Sequence, residues 1–450
     1  MTDVVLVYPY FNEERDKSIF RYPPLGLGYI ASSLRSAGYS VALVDCTFSI
    51  MENAMRRIRS LHPRVLGVYS MVTMNHHAIA IAQALKNEVE LLVAGGPLPS
   101  LVPDTFLDTF DVVVVGEGER TIIDLLNRHF NHQPWQDVPG IAYRAPHNEI
   151  AWTTPRPQIE NLDDLPFPAR DLFPHDHYKW YWNTYHGYTA TSMISTRGCP
   201  YNCDFCSNPV FGVSYRERSA QNVVDEMVKI HEIGYDRIFF QDDCFTLNPR
   251  RTMELCKLLI DNKLDLEWMC LSRADHLGKE LASIMARAGC RRVFFGIESG
   301  NPRMLKVIGK KIILPDARRA VVAAKLAGME TGAFFILGYP GDNNESLLDT
   351  IRFSSSLPLD YLSYSFPYPI PGTGLYERVK NKITVPEWRK QRNKAGRHDL
   401  LFQSDFSARK LRFAQFKGYV QHWLRSRGKI GIITSQAFER LTDKVLFQIT

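Results

Sequence analysis

Three of the eight cysteines lie within Cys199-Pro-Tyr-Asn-Cys203-Asp-Phe-Cys206, and this spacing says more about the kind of site in the chain than any other feature of the sequence. A 4Fe–4S cluster is held by thiolates, and a full set is four. Three thiolates would leave one iron open to a substrate or cofactor, which favours chemistry at the cluster over electron transfer alone. Zinc usually takes four ligands in two separated pairs, and no second pair lies near. Residues 193–196 read as a strand end that Arg197-Gly198 turns, so we expect the cysteines on a loop past that strand.

The composition indicates two to three ordinary domains. The chain has 450 residues, 45% of them hydrophobic and 23% charged. It has no run of about 18 apolar residues that could span a membrane. Its first residues enter a strand instead of forming a signal peptide. The remaining cysteines are scattered singly, which fits a reducing compartment better than a disulfide framework. They are Cys46, Cys244, Cys256, Cys270 and Cys290. We therefore expect a cytoplasmic protein with no membrane partner.

Residues 1–140 predict a doubly wound α/β domain with a parallel sheet. Apolar strands alternate with helical stretches, a pattern typical of parallel pairing with right-handed crossovers. The expected strands are 4–8, 41–44, 65–69, 91–94 and 112–115. Five strands fit a flavodoxin-like, Rossmann-like order, in which ligands bind at the carboxyl ends. The loops there contain glycines that would let a bulky ligand approach the backbone, although glycine also serves turn geometry alone.

Residues 190–375 predict a partial, TIM-like (β/α)6 barrel, which follows a proline-rich linker at 141–189. The expected strands are 193–196, 237–241, 267–271, 292–296, 332–337 and 361–366. Polar residues repeatedly follow these strands, and in (β/α) barrels the carboxyl ends carry the chemistry. A small, mostly helical region is expected at 376–450.

The spacing C-x3-C-x2-C, with Phe205 before the last cysteine, resembles the signature of the radical S-adenosylmethionine (SAM) superfamily. Three further segments together resemble the cobalamin-binding domain that precedes this core in one large subfamily. They are Pro23-Pro24-Leu25-Gly26-Leu27, Gly95-Gly96-Pro97 and Gly116-Glu117-Gly118-Glu119. The resemblance covers roughly residues 1–375. It implies one 4Fe–4S cluster on Cys199, Cys203 and Cys206, SAM on the fourth iron, and a bound cobalamin.

The polar strand ends of the central domain suit a zwitterionic ligand such as SAM. Asp242 or Asp243 could take its ammonium group, Arg273 its carboxylate and Glu298 its ribose hydroxyls. By the resemblance, adenine would lie on a glycine-containing strand. Such residues also cap helices and pair on surfaces, so each assignment alone is open. The expected SAM contacts are Phe205, Asp242, Asp243, Arg273, Glu298, Ser299, Ile336, Leu337 and Gly338.

By the same resemblance, the nucleotide tail of cobalamin would lie near Gly95-Gly96 and the corrin would rest on the loops 22–27 and 70–73. The expected contacts are Pro9, Tyr22, Pro24, Leu25, Gly26, Leu27, Ser70, Met71, Val72, Thr73, Gly95, Gly96, Gly116, Glu117, Gly118 and Glu119. No D-x-H-x-x-G motif occurs, so no histidine is expected to bind cobalt from below. His76 and His77 are interpreted as solvated residues at a helix start.

Two regions keep alternative interpretations. The aromatic stretch 178–182, with Tyr185 and Tyr188, could wall a substrate pocket or simply pack against the barrel. Residues 377–450 carry 17 Lys/Arg and 6 Asp/Glu, so the basic excess belongs to the tail. The favoured interpretation is a helix that closes the barrel and keeps a solvated basic face. The alternative is that Arg412, Lys417 and Arg425 dock an acidic partner, either a substrate-loaded carrier protein or an electron donor such as flavodoxin. Without a recognisable RNA-binding module, nucleic acid is not expected.

The resemblance implies a cobalamin-dependent radical SAM methyltransferase that acts on an unactivated carbon of a small molecule. The compact layout favours natural-product or antibiotic biosynthesis, with a pyrrole or other heteroaromatic as the candidate substrate. An oxidative cyclase or ring-rearranging enzyme without net methylation would have the same layout. A methylthiotransferase would need three more cluster cysteines near the N-terminus, where only Cys46 lies. A non-catalytic iron–sulfur electron carrier is the alternative of another class.

Overall fold

The computed structural model describes residues 1–11, 17–206, 211–384 and 400–449. Within these ranges the chain forms two compact units. The first contains residues 1–192 together with 211–218, and the second contains residues 193–206, 219–384 and 400–449.

The first unit is built on a seven-stranded sheet of order β2-β1-β3-β4-β5-β6-β7. Strands β1 to β5 pair in parallel, as expected, and β6 and β7 continue the sheet antiparallel. The elements are β1 (Thr2–Tyr8), α1 (Leu25–Ser36), β2 (Val41–Asp45), α2 (Met51–Ser60), β3 (Pro63–Tyr69), α3 (Asn75–Leu85), β4 (Leu91–Gly95), α4 (Pro97–Leu101), α5 (Pro103–Leu107), β5 (Val112–Val114), α6 (Gly118–Phe130), β6 (Ile141–Arg144), β7 (Ile150–Trp152) and α7 (His175–His186).

The alternation of side chains along a strand explains why this sheet is covered on both faces. In β1, Val4 and Leu6 pack into one core cluster, whereas Val5 and Val7 pack into a second. Each cluster also takes the apolar stripes of several helices. The predicted flavodoxin-like order of the first five strands is confirmed, and the sequence analysis missed β6 and β7.

The second unit is built on a six-stranded sheet of order β8-β11-β12-β13-β14-β15, which confirms a partial barrel of sequential strands. The remaining elements, of which β10 and most of β8 fall within the residue ranges of the first unit, are β8 (Ala190–Met193), β9 (Thr196–Arg197), β10 (Arg216–Glu217), α8 (Ala220–Glu232), β11 (Arg237–Phe240), α9 (Pro249–Asp261), β12 (Glu267–Ser272), α10 (Lys279–Arg287), β13 (Cys290–Glu298), α11 (Pro302–Ile308), α12 (Leu314–Leu326), β14 (Glu330–Ile336), α13 (Asn344–Ser355), β15 (Tyr361–Ser365), α14 (Gly374–Val379), α15 (Ala408–Arg425) and α16 (Gly428–Gln448).

The first barrel strand ends earlier than the sequence suggested. It covers residues 190–193, and the two-residue strand β9 leads into the cysteine loop, with Gly198 at φ +82° making the turn. Four short 3₁₀ helices complete the described structure, at Leu162–Asp164, Arg170–Leu172, Ala274–His276 and Lys380–Lys382. Over the residues that the structure describes, no helix is both long and apolar enough to cross a membrane.

Candidate functional site

The three clustered cysteines are half-buried free thiols on the loop that follows β9. The amide of Cys206 donates to the carbonyl of Cys203 at 3.0 Å, which curls the loop back on itself. No three His, Cys, Asp or Glu side chains in the described ranges are grouped to hold a single metal ion. A cluster does not require such a group, because each thiolate binds a different iron of the cube. The donor set therefore fits a 4Fe–4S cluster with one open iron.

The surroundings of the thiols are mixed. Burial raises the pKa of Cys199 and Cys203, whereas the nearby cations Lys310 and Arg273 lower the pKa of Cys203. Because a metal ligand must be a thiolate, these two cations favour the liganding form.

Asp204, between the second and third cysteines, ties the loop to the barrel. Its carboxylate accepts a 2.6 Å hydrogen bond from the hydroxyl of Tyr339 and lies 3.1 Å from Nε of Arg378. Its amide donates to Ile308 and its carbonyl accepts from the amide of Leu375. Both the side chain and the backbone of this residue are thus committed to fixing the loop.

Tyr201, between the first two cysteines, makes a second tie. The guanidinium of Arg273 lies 3.5 Å from the centre of its ring, and its hydroxyl is 2.6 Å from Nε2 of His276. Arg273 is also paired with Asp275 and donates to the carbonyl of Lys310. The arginine predicted to bind the carboxylate of SAM is therefore already engaged on the cysteine loop. The roles of Tyr201 and Asp204 were not predicted from the sequence, although both residues lie inside the motif.

Adjacent carboxylates after β11 have different surroundings. Asp242 is fully buried, and it accepts from the amides of Ser195 and Thr196 and from the hydroxyl of Ser195. Asp243 as a whole residue is exposed, but protein atoms around its carboxyl group partly desolvate that group. This desolvation and the charge of Asp242 raise the pKa of Asp243 to about 6. A carboxyl group that is both accessible and partly desolvated is typical of a cleft. Of the two, Asp243 is the one available to an ammonium group.

The end of β13 carries a buried ion pair. Glu298 has a positive φ of +71° and its carboxylate is 3.2 Å from the ammonium of Lys310. A side chain at Gly296 would overlap this pair, because its Cβ would lie 2.6 Å from Oε1 of Glu298. Ser299 is buried and shares a 3.0 Å hydrogen bond with Thr350. Glu298 thus stands at the expected strand end in an unusual backbone conformation, which is common at ligand sites.

The predicted adenine segment follows β14. Ile336 and Phe205 belong to one apolar cluster, whereas Leu337 is buried in the main barrel core. A side chain at Gly338, where φ is +77°, would meet Leu411 of α15 at 2.7 Å. Helix α15 therefore lies against the end of this strand.

In the first unit, the glycines at the strand ends fall into two kinds. A Cβ at Gly95 or Gly116 would meet nothing within 4 Å, whereas a Cβ at Gly96 would lie 2.6 Å from the carbonyl of Ser70. Gly96 is therefore required by the fold, and the positive φ of Gly116 (+76°) also favours glycine, but the space beside both Gly95 and Gly116 is open. This open space at neighbouring strand ends is the cradle that a bulky cofactor needs.

The other predicted cobalamin residues of this unit are divided between surface and core. Gly26 is exposed, Met71, Val72 and Thr73 are half-buried, and Pro9, Pro24, Leu25, Leu27, Ser70 and Glu119 are buried. Tyr22 stacks on Trp182 with ring centres 5.1 Å apart. Gly118 packs against Ile30. Glu117 accepts from the guanidinium of Arg216 at 2.8 and 2.9 Å and from the amide of Ile159. Its carboxylate thus anchors a neighbouring chain segment.

The start of α3 differs from the expectation of solvated histidines. His77 packs edge-on against Phe11 at 4.7 Å, and burial together with His76 lowers the pKa of His77 to about 4. Its ring is therefore neutral at physiological pH. Asn75 is 1% exposed, and neither polar atom of its amide has a hydrogen-bond partner among the described residues. A buried amide without partners indicates a place for a water or a polar ligand, and the sequence offered no sign of it.

The aromatic stretch of α7 is mostly packing. Tyr178, Tyr181 and Trp182 are fully buried, and the hydroxyl of Tyr178 donates to Asp45 at 2.7 Å. Trp180 is 58% exposed. Three of these rings are therefore packed, but they hydrogen-bond to residues of the first unit, whereas the expected packing was against the barrel.

The basic face expected on α15 is also different. Lys417 is fully buried and lies 2.9 Å from Asp443, and Arg425 pairs with Glu439 at 3.3 Å. Arg412 is exposed. Two of the three cations proposed for docking an acidic partner are thus already paired inside the C-terminal region.

Two family models match the chain. Residues 193–354 match the model described as the radical SAM superfamily, and residues 16–126 match the model described as a B12 binding domain. These ranges contain the cysteine loop and the glycine-rich strand ends, respectively.

Relatives resemble most of the chain. An uncharacterized methyltransferase of Pyrococcus horikoshii is 34% identical over 82% of this chain and 81% of its own length. An anaerobic magnesium-protoporphyrin IX monomethyl ester cyclase of Rubrivivax gelatinosus is 26% identical over 86% of this chain and 72% of its own.

Solved structures share the fold. The cobalamin-dependent SAM radical enzyme OxsB, with aqua-cobalamin bound, has a TM-score of 0.77 at 17% identity, covering 99% of this chain and 72% of its own. The radical SAM methyltransferase TsrM from Kitasatospora setae, with tryptophan and a SAM analogue, has a TM-score of 0.71 at 19% identity, covering 86% and 78%.

Proposed function

Because this chain belongs to the cobalamin-binding radical SAM methyltransferase family, we propose that it methylates an unactivated carbon of a small molecule. It is a radical SAM enzyme of the methyltransferase type, with a 4Fe–4S cluster, SAM and cobalamin as cofactors. The observation that carries the proposal is one chain with a three-cysteine loop on a partial barrel and open strand ends on a separate B12-type sheet. Together these cofactors supply radical initiation and methyl transfer to carbon that is not nucleophilic.

The residues of the barrel would bind and orient the cluster and SAM. We assign Cys199, Cys203 and Cys206 as the cluster ligands, which Tyr201 and Asp204 hold in position through the ties described above. Asp243 would pair with the ammonium group of SAM, since Asp242 is saturated by its own hydrogen bonds. The remaining predicted contacts, Phe205, Arg273, Glu298, Ser299, Ile336, Leu337 and Gly338, would shape the site around it.

The residues of the first unit would hold cobalamin at the strand ends. Gly95 and Gly116 would let the cofactor approach the backbone, and the amide of Asn75 would gain a polar partner. No cobalt-ligating histidine is assigned, which keeps the expectation drawn from the missing D-x-H-x-x-G motif.

For the substrate we propose a heteroaromatic natural product, such as a pyrrole, in antibiotic biosynthesis. The support is the family layout and the TsrM complex, in which the same fold accommodates tryptophan, a heteroaromatic substrate. The exposed ring of Trp180 is a candidate surface for stacking such a ring. Carrier-protein delivery and flavodoxin as electron donor are proposed on the family's need for substrate and electrons.

The test is anaerobic reconstitution with iron, sulfide and cobalamin, followed by incubation with a one-electron reductant, methyl-deuterated SAM and panels of pyrroles and indoles. We expect a product that gains one labelled methyl group, together with 5′-deoxyadenosine. A Cys203→Ala variant is the matched control, and it should give neither. If the protein binds iron but the spectrum of its cluster does not change when SAM is added, and no 5′-deoxyadenosine forms, the protein is an electron carrier and the proposal is contradicted.

A cyclase without net methylation is the second candidate, since the Rubrivivax gelatinosus relative carries that name. The same assay separates the two reactions by mass. A cyclase product would contain no deuterium from the methyl group, although 5′-deoxyadenosine would still form.

A further inference from the structure

The turn between α15 and α16 exposes an unusual concentration of large apolar side chains. Helix α15 ends at Arg425 and α16 begins at Gly428, where φ is +74°. Around this turn Trp423 is 52% exposed, Ile430 78%, Ile432 45% and Ile433 67%. Their proximity follows from the sequence, because all four lie within eleven residues of one tight turn. We call this segment, residues 423–433, the hairpin tip.

The charge around the hairpin tip has a single sign. Residues 406–438 contain seven Lys/Arg and no Asp or Glu. Arg427 and Lys429 are exposed within the tip, and the guanidinium of Arg427 lies 4.1 Å from the ring centre of Trp423. Whatever covers the apolar side chains therefore has to tolerate or attract positive charge.

The two acidic residues of α16 do not neutralise the tip. Glu439 pairs with Arg352 and Arg425, and Asp443 pairs with Arg352 and Lys417. These ion pairs hold both carboxylates against the body of the second unit. The exposed surface of the tip therefore carries cations and apolar groups and no carboxylate.

We propose that the hairpin tip docks on an anionic lipid surface. Isoleucine and tryptophan side chains enter the boundary between headgroups and acyl chains, and Arg and Lys beside them meet anionic headgroups. A second copy of the same tip would bring like charges together, and a nucleic acid would leave the isoleucines without an apolar partner. A lipid surface satisfies both the apolar and the cationic groups. This peripheral contact differs from a transmembrane span, and it departs from the expectation of no membrane partner, which rested on the lack of a segment that could span. The proposal does not depend on the proposed reaction.

The test uses the full-length reconstituted enzyme and vesicles of phosphatidylcholine with or without phosphatidylglycerol. We expect co-sedimentation with the anionic vesicles, a blue shift of tryptophan fluorescence, and weaker binding as ionic strength rises. Ile430→Ser with Ile433→Ser should lower the partition coefficient about tenfold or more, since each large apolar side chain contributes substantially when buried. Arg427→Glu with Lys429→Glu should lower it about tenfold or more on anionic vesicles.

Matched controls separate the tip from general stickiness. Leu326 on α12 is 78% exposed and lies outside the C-terminal hairpin, so Leu326→Ser should leave vesicle binding unchanged. Lys257→Glu on α9 serves as the charge control. Equal binding to both vesicle types, equal losses in tip and control variants, or a dimer that dissociates only in the tip variants would each overturn the proposal. The last outcome would identify a second copy of the chain as the occupant, and capture of an acidic protein without vesicle binding would identify a protein partner.

Discussion

Removing the carboxylate of Asp204 should loosen the cysteine loop and release the cluster. Its bond from Tyr339 is a hydrogen bond to a charged acceptor, and such bonds contribute about 1.5–3 kcal/mol. The pairing with Arg378 adds little, because that side chain is 48% exposed and surface pairs contribute about 0–1 kcal/mol. Asp204→Ala should therefore cost about 1.5–4 kcal/mol locally. The backbone hydrogen bonds of this residue remain.

This free-energy cost predicts how much faster the variant should lose its cluster to a chelator. Since about 1.4 kcal/mol is a factor of ten, the opened loop should be about 12- to 700-fold more populated in Asp204→Ala. The assay follows the visible absorbance of the reconstituted cluster after addition of an iron chelator under anaerobic conditions. Cluster loss should accelerate by a factor in this range if opening is fast compared with chelation. Asp204→Asn keeps an acceptor for the tyrosine and should accelerate the loss only about tenfold or less.

Control variants distinguish local opening of the cysteine loop from a loss of global stability. Tyr339→Phe removes the same hydrogen bond from the other side, so its effect and that of Asp204→Ala should be less than additive in the double variant. Asp316→Ala breaks a surface pair with Arg319 and should leave the chelation rate unchanged. The reasoning is refuted if Asp204→Ala loses iron at the wild-type rate, or if its faster loss is matched by an equal fall in global stability.

Three further outcomes follow from the same structure. Glu117→Ala should lower the free energy of unfolding in urea titrations by about 3–5 kcal/mol, because it leaves the buried Arg216 without its carboxylate partner. As a control, Glu88→Ala removes the exposed pair with Arg59 and should cost less than about 1 kcal/mol. Gly95→Ala should keep the apo fold and weaken retention of cobalamin on gel filtration, whereas Gly96→Ala, with φ +108°, should lower the melting temperature even without cofactor. If Asp243 pairs with SAM, affinity for SAM measured by equilibrium dialysis should fall as pH drops through about 6, because the carboxylate becomes neutral, and Asp243→Asn should flatten that dependence.

The sheets could be predicted because their strands are apolar runs buried on both faces. Strand β1 sends alternate residues into two cores, and this requirement leaves a continuous signal in the sequence. The missed strands, Ile141–Arg144 and Ile150–Trp152, have four and three residues and are only partly buried. Strands this short leave little periodicity to detect, so their pairing is decided by the sheet beside them.

The sequence predicted candidate site residues from their types and positions, but it did not predict their hydrogen-bond and ion-pair partners. From the sequence alone, Asp242 and Asp243 were equivalent candidates. In the structure, the amides of Ser195 and Thr196 and the hydroxyl of Ser195 saturate Asp242, whereas Asp243 stays accessible. Lys417 likewise looked like part of a solvated face until its pairing with Asp443 was seen. These partners lie tens of residues away along the chain, where no local spacing rule reaches.

Availability to a ligand is therefore the property that only the fold determines. Cysteine spacing fixes which atoms can bind iron, because the ligands are neighbours in the chain. A carboxylate or an amide becomes a contact only if the protein has not already satisfied it, since a saturated group gains little from a ligand. By this criterion Glu117 is a structural anchor, whereas Asp243 and Asn75 keep hydrogen-bonding capacity for a bound molecule. Substitutions at the anchor should lower stability first, and substitutions at the other two should lower ligand affinity first.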